Sequence, residues 1–156
     1  RTENWDEMVI DEFNKYADRI VLVYGDDGAR KDDLATHGFI HRNWINTVGY
    51  FLPPYFSSDR NDYWLTDIAR KVDRLNKIKI LTEHMHPGVG IGEWDKTHKE
   101  RIERGKRDKV GELYRNKQEE RNQDADKLRK FIEDFEKGYV TGSLPFLDNF
   151  LGNMGE

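Results

Sequence analysis

The chain has 156 residues, of which 26 are Lys or Arg and 30 are Asp or Glu, so its formal net charge is −4. This balance gives no general attraction to nucleic acid or to an anionic membrane, and acidic residues interleave the Lys- and Arg-rich segment almost one for one. The absence of cysteine excludes disulfides and thiolate metal sites and fits a cytoplasmic protein. No apolar stretch approaches the roughly 20 residues that span a bilayer.

The first 50 residues predict a helix, a buried strand and a short second helix. After Asn4, a capping residue paired with Glu7, apolar side chains recur at helical spacing: Trp5, Met8, Val9, Phe13 and Tyr16. The β-branched sequence RIVLVY at 19–24, closed by the turn sequence GDDG, predicts a strand covered on both faces. A short extended segment then leads into a helix from about His41 to Val48, which Gly49 ends.

A second helix and strand follow an aromatic loop that Pro53 and Pro54 stiffen. Asp59 or Asn61 can cap the helix, and its amphipathic stripe is the clearest in the chain: Trp64, Leu65, Ile68, Ala69, Val72 and Leu75. The sequence KIKILTEHMHP at 77–87 predicts a strand that Pro87 and the next glycines end.

The remaining residues are dominated by charge. We expect residues 95–137 to be helical but sparsely packed, with a solvated face, and the glycine-rich tail to resemble a docking peptide. The predicted domains are therefore an α/β core over 1–93, a charged helical extension over 94–137 and a tail over 138–156. Two strands do not make a stable open sheet, and the chain begins at Arg1, so we expect a part of a longer protein.

The sequence TEHMHP suggests a metal site. If it is still extended, His84 and His86 lie on one face while Met85 points into the core. Neutral imidazole suits manganese, zinc or iron, although no carboxylate follows at a diagnostic interval, and solvated histidines at a strand end are the alternative. Asp62 lies in the first turn of the preceding helix, where the helix dipole favours an ionised carboxylate. Ligands collect at the carboxyl ends of strands in open α/β sheets, so Asp62 and the two histidines could meet there.

The stretch from Gly38 to Pro87 resembles the C-terminal, acceptor-side half of GT-A glycosyltransferases of the family-2 type, with phage-encoded members nearest. The pattern runs from a glycine-led segment through the turn at 48–51 to a helix opened by an acidic pair, and then to a strand ending in histidine. The resemblance covers about residues 1–95. It implies a partial GT-A sheet and a hexosyltransferase-like enzyme that moves a sugar from a nucleotide-diphosphate donor to an acceptor hydroxyl. It further implies metal dependence, inversion and, for a phage protein, the host cytoplasm.

The resemblance also implies roles for individual residues. Asp62 matches the general base that takes the proton of the acceptor hydroxyl, and Asn61 replaces the first acid of the family's acidic pair. His84 matches the histidine that helps to hold Mn2+ or Mg2+ on the diphosphate, and His86 is a second candidate. The positions that match contacts to the acceptor or the donor sugar are His37, Gly38, Gly49, Tyr50, Phe51, Tyr55 and Asn61. For His37 the alternative is an ordinary loop histidine without a role in binding. For the rings of Tyr50, Phe51 and Tyr55 the alternative is packing within the fold.

Two further predictions concern the family's metal motif and an alternative function. The family's Asp-x-Asp metal motif matches a position upstream of Arg1; Asp26 and Asp27 could replace it, although a plain turn is favoured. The donor-binding half would then be missing, so the chain alone should be a poor catalyst. The alternative function is a non-catalytic assembly module with a glycosyltransferase-like core, which binds a protein partner or a second copy through residues 94–156.

Overall fold

The computed structural model describes residues 2–29, 34–90 and 92–140. Over these residues the chain forms six α-helices and three strands, and a short 3-10 helix spans Pro87–Val89. The elements in chain order are α1 (Trp5–Asn14), β1 (Leu22–Asp26), β2 (Phe39–Ile40), α2 (Arg42–Val48), α3 (Asn61–Lys71), β3 (Leu75–Leu81), α4 (Lys96–Arg107), α5 (Val110–Asn116) and α6 (Gln118–Glu136). The predicted α/β class is confirmed.

The three strands form one mixed sheet in the order β2-β1-β3. β1 pairs antiparallel with β2, with Leu22 opposite Ile40, and parallel with β3, with Leu22 opposite Leu75. The parallel pairing places the carboxyl ends of β1 and β3 at the same edge of the sheet. Mixed sheets of this size occur in many α/β folds, so the sheet alone does not identify a GT-A fold.

The central strand separates two apolar clusters, as its composition predicts. Val21 and Val23 pack with Val9 and Phe13 of α1 on one face of the sheet. The larger cluster on the other face contains, among others, Leu22, Tyr24, Trp44, Trp64, Ile68 and Leu128. This alternation follows from the two-residue period of strand side chains, and it leaves β1 buried on both faces.

Helix α6 is part of the main core, which corrects the expectation of a sparsely packed extension. Ala125, Leu128 and Ile132 are buried against α2 and α3. Arg121 is also buried: its Nε donates to Asp67 at 2.8 Å, and its guanidinium lies 3.9 Å from the ring centroid of Tyr114. Helix α4 differs, because none of its residues, 96–107, is buried and it is held by polar contacts.

Three local predictions are wrong in detail. Asn4 is left-handed, with a φ of 53°, so the extended cap that Glu7 would complete does not form there. Arg60, with a φ of 86°, precedes α3 in place of a capping Asp59 or Asn61. β3 ends at Leu81, so the two histidines follow the strand in a loop.

Two further observations concern membrane-spanning helices and the C-terminal tail. Over the part of the chain that the structure describes, no helix is both long and apolar enough to cross a membrane. The predicted docking tail falls mostly at 141–156, outside the described residues. The domain limits at 93 and 137 stay predictions.

Candidate functional site

A cavity of about 610 Å3 opens at the sheet edge where β1 and β3 end. Its walls come from the segment before β2, the start of α3, the loop after β3 and one side of α4. Seven of the predicted site residues line it: His37, Gly38, Phe51, Asn61, Asp62, His84 and His86. The structure thus brings together the carboxylate and the imidazoles whose convergence the sequence predicts.

Asp62 reaches the cavity from the first turn of α3. Its Oδ1 accepts a hydrogen bond from the backbone N–H of Tyr63 at 2.9 Å. The helix dipole at this end of α3 stabilises a negative charge. Arg60, the residue before α3, holds a left-handed conformation that costs about 1 kcal/mol for a side chain with a Cβ, and its guanidinium stacks 4.7 Å from the Tyr63 ring centroid.

The loop after β3 is fixed to the end of β1 by backbone hydrogen bonds. The N–H groups of Thr82 and His84 donate to the carbonyls of Asp26 and Asp27 at 2.8 and 2.9 Å. The N–H of His86 then turns back to the carbonyl of His84 at 2.8 Å. This turn sets the two imidazole rings perpendicular, 5.3 Å apart, and not side by side as on a strand.

Four imidazoles form a histidine row, His37, His84, His86 and His98, of which the first three line the cavity. Neighbouring ring centroids are 5.1, 5.3 and 5.1 Å apart in that order. The two ends are fixed, because His37 Nδ1 lies 3.1 Å from the Thr82 carbonyl and His98 Nδ1 lies 2.6 Å from Asp95 Oδ1. No sequence pattern predicts a role for His98, which comes from a helix predicted to be solvated.

The described residues do not assemble a complete metal site. The ring of His86 is poorly placed for an ion: Nδ1 accepts from the Gly88 N–H at 2.9 Å, and the Arg101 guanidinium lies beside Nε2, with Nη2 at 3.0 Å. Among residues 2–29, 34–90 and 92–140, no group of three or more His, Asp or Glu side chains could hold an ion. Mg2+ and Mn2+ prefer oxygen ligands, so His84 alone is a partial donor set and the predicted ion stays a prediction.

Asp26 and Asp27 build the turn that follows β1. Asp26 Oδ1 accepts from the Gly28 N–H at 2.8 Å, and Asp27 Oδ1 accepts from the Ala29 N–H at 2.9 Å. Asp27 is buried, and its second oxygen accepts from the Thr36 hydroxyl at 3.0 Å. Both carboxylates therefore serve the turn, as the favoured reading of GDDG predicts.

The remaining predicted site residues serve the packing of the fold. The Tyr50 hydroxyl donates to the Asp124 carboxylate and accepts from Trp64 Nε1 at 3.1 Å. The Tyr55 ring lies 5.2 Å from Trp64 and takes the Lys117 ammonium 4.8 Å from its centroid. Gly49 ends α2 with a φ of 96°, a conformation that glycine adopts without strain.

Gly38 has a steric reason for being glycine. A Cβ at this position would lie 2.6 Å from Leu22 Cδ1, closer than carbon atoms approach. The residue therefore allows the wall of the cavity to lie directly on the central strand, whatever it contributes to a ligand.

Replacing Tyr50 with Phe should lower the free energy of unfolding by about 1–3 kcal/mol, because the buried Asp124 carboxylate and the Trp64 N–H both lose a partner. Burial and the bond to Asp124 also raise the pKa of Tyr50, so the hydroxyl stays a donor over the physiological range. Urea denaturation measures the change. The control is Tyr139→Phe, at a residue that is 77% exposed; equal stability of the two variants would contradict the packing role.

Stability should fall as the solution is acidified below about pH 6.5. The pKa of His86 is lowered by burial and then by Arg101, His84 and His98, which outweigh Asp59. Burial, Arg19 and Arg42 lower the pKa of His41. The ordinary pKa of a histidine side chain, as in the unfolded chain, is 6.5. Because the pKa values of both imidazoles are lower in the folded protein, they bind protons more weakly there, and protonation below that pH favours unfolding.

The measurement is urea denaturation at about pH 7.5 and about pH 5.5. The double variant His41→Asn, His86→Asn keeps short side-chain acceptors at both capping positions but removes both titrations. It should show a smaller loss of stability on acidification than the wild type. An equal loss in both proteins would assign the pH dependence to other groups.

Comparison with known proteins reveals no relative. No protein-family model matches the chain, and searches of curated proteins and of solved structures give no significant match. The resemblance to GT-A glycosyltransferases is therefore carried by the order of the quoted residues alone, and no family is shown for this chain.

Proposed function

We propose that the protein carrying this chain is a glycosyltransferase that moves a sugar from a nucleotide-diphosphate donor to an acceptor hydroxyl, and that this chain contributes the acceptor side of its active site. The observation that carries the proposal is that Asp62 and His84 line one cavity, although 22 positions separate them in sequence. A volume of about 610 Å3 is in the range of small-molecule sites.

The proposed chemistry assigns the proton transfer to Asp62. Its carboxylate takes the proton of the acceptor hydroxyl while that oxygen forms a bond to the anomeric carbon of the donor. The bond from that carbon to the diphosphate breaks, and the diphosphate leaves with the electron pair. Attack from the face opposite the leaving group inverts the anomeric centre.

Two other residues of the cavity wall suit an acceptor sugar. Asn61 Oδ1 is buried and has no hydrogen-bond partner among the described residues, so it can accept a hydrogen bond from a ligand hydroxyl. The Phe51 ring is 50% exposed in the cavity wall and offers an apolar surface to a sugar face. Both side chains line the same cavity as the carboxylate that would act as the base.

The proposal includes a divalent metal ion. Mn2+ or Mg2+ would neutralise the charge that develops on the departing diphosphate. His84 is the residue of this chain that the resemblance makes a ligand, and the described residues supply no complete set around it.

The test is a transfer assay on the protein that carries this chain. A panel of uridine-, guanosine- and thymidine-diphosphate sugars is incubated with mixed sugar acceptors, and release of the nucleoside diphosphate is measured. We expect release from at least one donor, faster with an acceptor present, and slower after chelation of divalent ions. Absence of release from every donor, with and without Mn2+, would contradict the function.

A second candidate, a non-catalytic assembly module, is favoured by exposed aromatic rings in the C-terminal part. Trp94 is 52% exposed and Tyr139 is 77% exposed. Isolated exposed rings are common on monomers, whereas a docking surface needs a contiguous patch. Light scattering of a variant that lacks residues 138–156 tests this candidate. A lower number of chains per particle than in the full chain supports it, and an unchanged number opposes docking through the tail.

A further inference from the structure

Helix α4 contributes an arginine, Arg101, to the wall of the cavity. Arg101 Nη1 pairs with the Asp59 carboxylate, and Arg101 Nη2 lies 3.0 Å from His86 Nε2. Helix α4 can lie close to the 58–59 segment because residue 105 is glycine: a Cβ there would lie 2.9 Å from Ser58 Oγ. Glycine inside a helix is unfavourable relative to alanine, so its presence here serves the contact between α4 and the 58–59 segment.

The contact between Arg101 and His86 joins two hydrogen-bond donors. His86 Nδ1 accepts from the Gly88 N–H, and a neutral imidazole carries its one proton on the other nitrogen. The Nε2–H of His86 and an Nη2–H of Arg101 therefore face each other with both protons inward. A ligand oxygen atom within reach of both N–H groups would accept a hydrogen bond from each, so that neither donor would be left facing the other.

Two more donors lie at the same corner without a partner. Arg101 Nε and Ser58 Oγ are both buried, and neither has a hydrogen-bond partner within the described parts of the chain. Asp59 occupies one side of the guanidinium and holds its orientation. The edge formed by Nε and Nη2 is left to bind an oxyanion in the two-pronged geometry that suits phosphate or carboxylate.

We propose that Arg101, His86 and Ser58 form a binding site for a phosphate group. Four donors from three side chains suit an anion that presents several acceptor oxygens, as a phosphate does and a single carboxylate does less well. The arginine comes from α4, beyond the residues 1–95 that the glycosyltransferase resemblance covers. Assigning this phosphate to the diphosphate of a sugar donor rests on the proposed function, whereas the phosphate site itself does not.

The test is calorimetric titration of the chain with pyrophosphate and with inorganic phosphate at fixed ionic strength. The wild type should bind pyrophosphate, and Arg101→Gln should weaken binding by at least about tenfold, because a charged two-pronged contact is lost. Arg101→Lys should give an intermediate loss, since it keeps the charge without the fork. The matched control is Arg104→Gln, which removes the same charge from an exposed position on α4 and should leave the affinity unchanged.

Circular dichroism checks that each variant is folded. Ser58→Ala provides a second probe that leaves the Asp59–Arg101 ion pair intact, and it should weaken pyrophosphate binding about threefold. Lack of binding by the wild type, or an equal loss in Arg101→Gln and Arg104→Gln, would overturn the inference.

The failure of this inference is distinguishable from the failure of the proposed function. Asp62→Asn should keep the affinity for pyrophosphate, because Asp62 is not among the donors. If pyrophosphate binding requires Arg101 while no sugar donor releases its nucleoside diphosphate in the transfer assay, the phosphate site stands and the proposed function fails. If transfer requires Asp62 while Arg101→Gln binds pyrophosphate like the wild type, only the phosphate site fails.

Discussion

Replacement of Asp62 by Asn should lower turnover by about 10²–10⁴-fold and leave donor binding nearly unchanged. Asparagine has almost the same shape as aspartate but cannot take a proton from an acceptor hydroxyl. The backbone N–H of Tyr63 keeps a side-chain oxygen acceptor, so the start of α3 should be preserved. The loss is therefore expected in the catalytic rate constant, with little change in the affinity for the donor.

Asp6→Asn is the matched control for this substitution. Asp6 is an exposed carboxylate in the first turn of α1, on the other face of the sheet from α3, so the change removes a comparable helix-dipole interaction. It should cost at most about 1 kcal/mol of stability and leave turnover unchanged. Full activity of Asp62→Asn, or equal losses in the two variants, would remove the base role from Asp62.

Replacement of Leu128 by Ala should lower the free energy of unfolding by about 2–5 kcal/mol. Leu128 is fully buried in the main cluster, where α6 packs against α2 and α3. The shorter side chain leaves a cavity that the surrounding aromatic rings cannot fill without moving. The size of the loss measures how firmly this charged helix belongs to the core.

Gln123→Ala tests the opposite face of the same helix. Gln123 is exposed, and alanine is at least as favourable in a helix, so stability should change by no more than about 0.5 kcal/mol. Urea denaturation compares the two variants. A loss below about 1 kcal/mol in Leu128→Ala would mean that α6 is the loosely packed extension that its composition suggests.

The elements with strong local patterns could be predicted from the sequence. Residues 20–24 predict a buried strand because their side chains are aliphatic or aromatic, and β1 begins within this run, at Leu22, between two layers of helices. The stripe of Trp64, Leu65 and Ile68 predicts the buried face of α3. Gly49 marks the end of α2 because a left-handed residue is needed at that position.

The role of α6 could not be predicted in the same way. Its charged residues outnumber its apolar ones, and the burial of Arg121 depends on Asp67, 54 positions earlier. A contact at such a separation leaves no periodic pattern in the sequence. The prediction that His84 and His86 lie on a strand is wrong for a related reason. The hydrogen bond from the His86 N–H to the His84 carbonyl forms in a loop that is held to the end of β1 by long-range backbone hydrogen bonds.

The candidate site was predictable in part. The rule that ligands gather at the carboxyl ends of strands brought Asp62 and His84 to one cavity. The same reasoning could not find Arg101 or His98, because they come from a helix whose composition resembles any solvated helix. Nor does an aromatic loop sequence reveal that the Tyr50 hydroxyl is used by Asp124 and Trp64 within the fold.

The most direct test of the central claim is nuclear magnetic resonance of the isotope-labelled protein during titration with nucleotide-diphosphate sugars. The claim is that one cavity, with Asp62 and His84 in its walls, receives the acceptor hydroxyl and the diphosphate end of the sugar donor. For at least one donor we predict that the backbone amide signals of His37, Asp62 and His84 shift together in a saturable way. Signals that stay unchanged with every donor, or shifts confined to residues outside this cavity, would contradict the account.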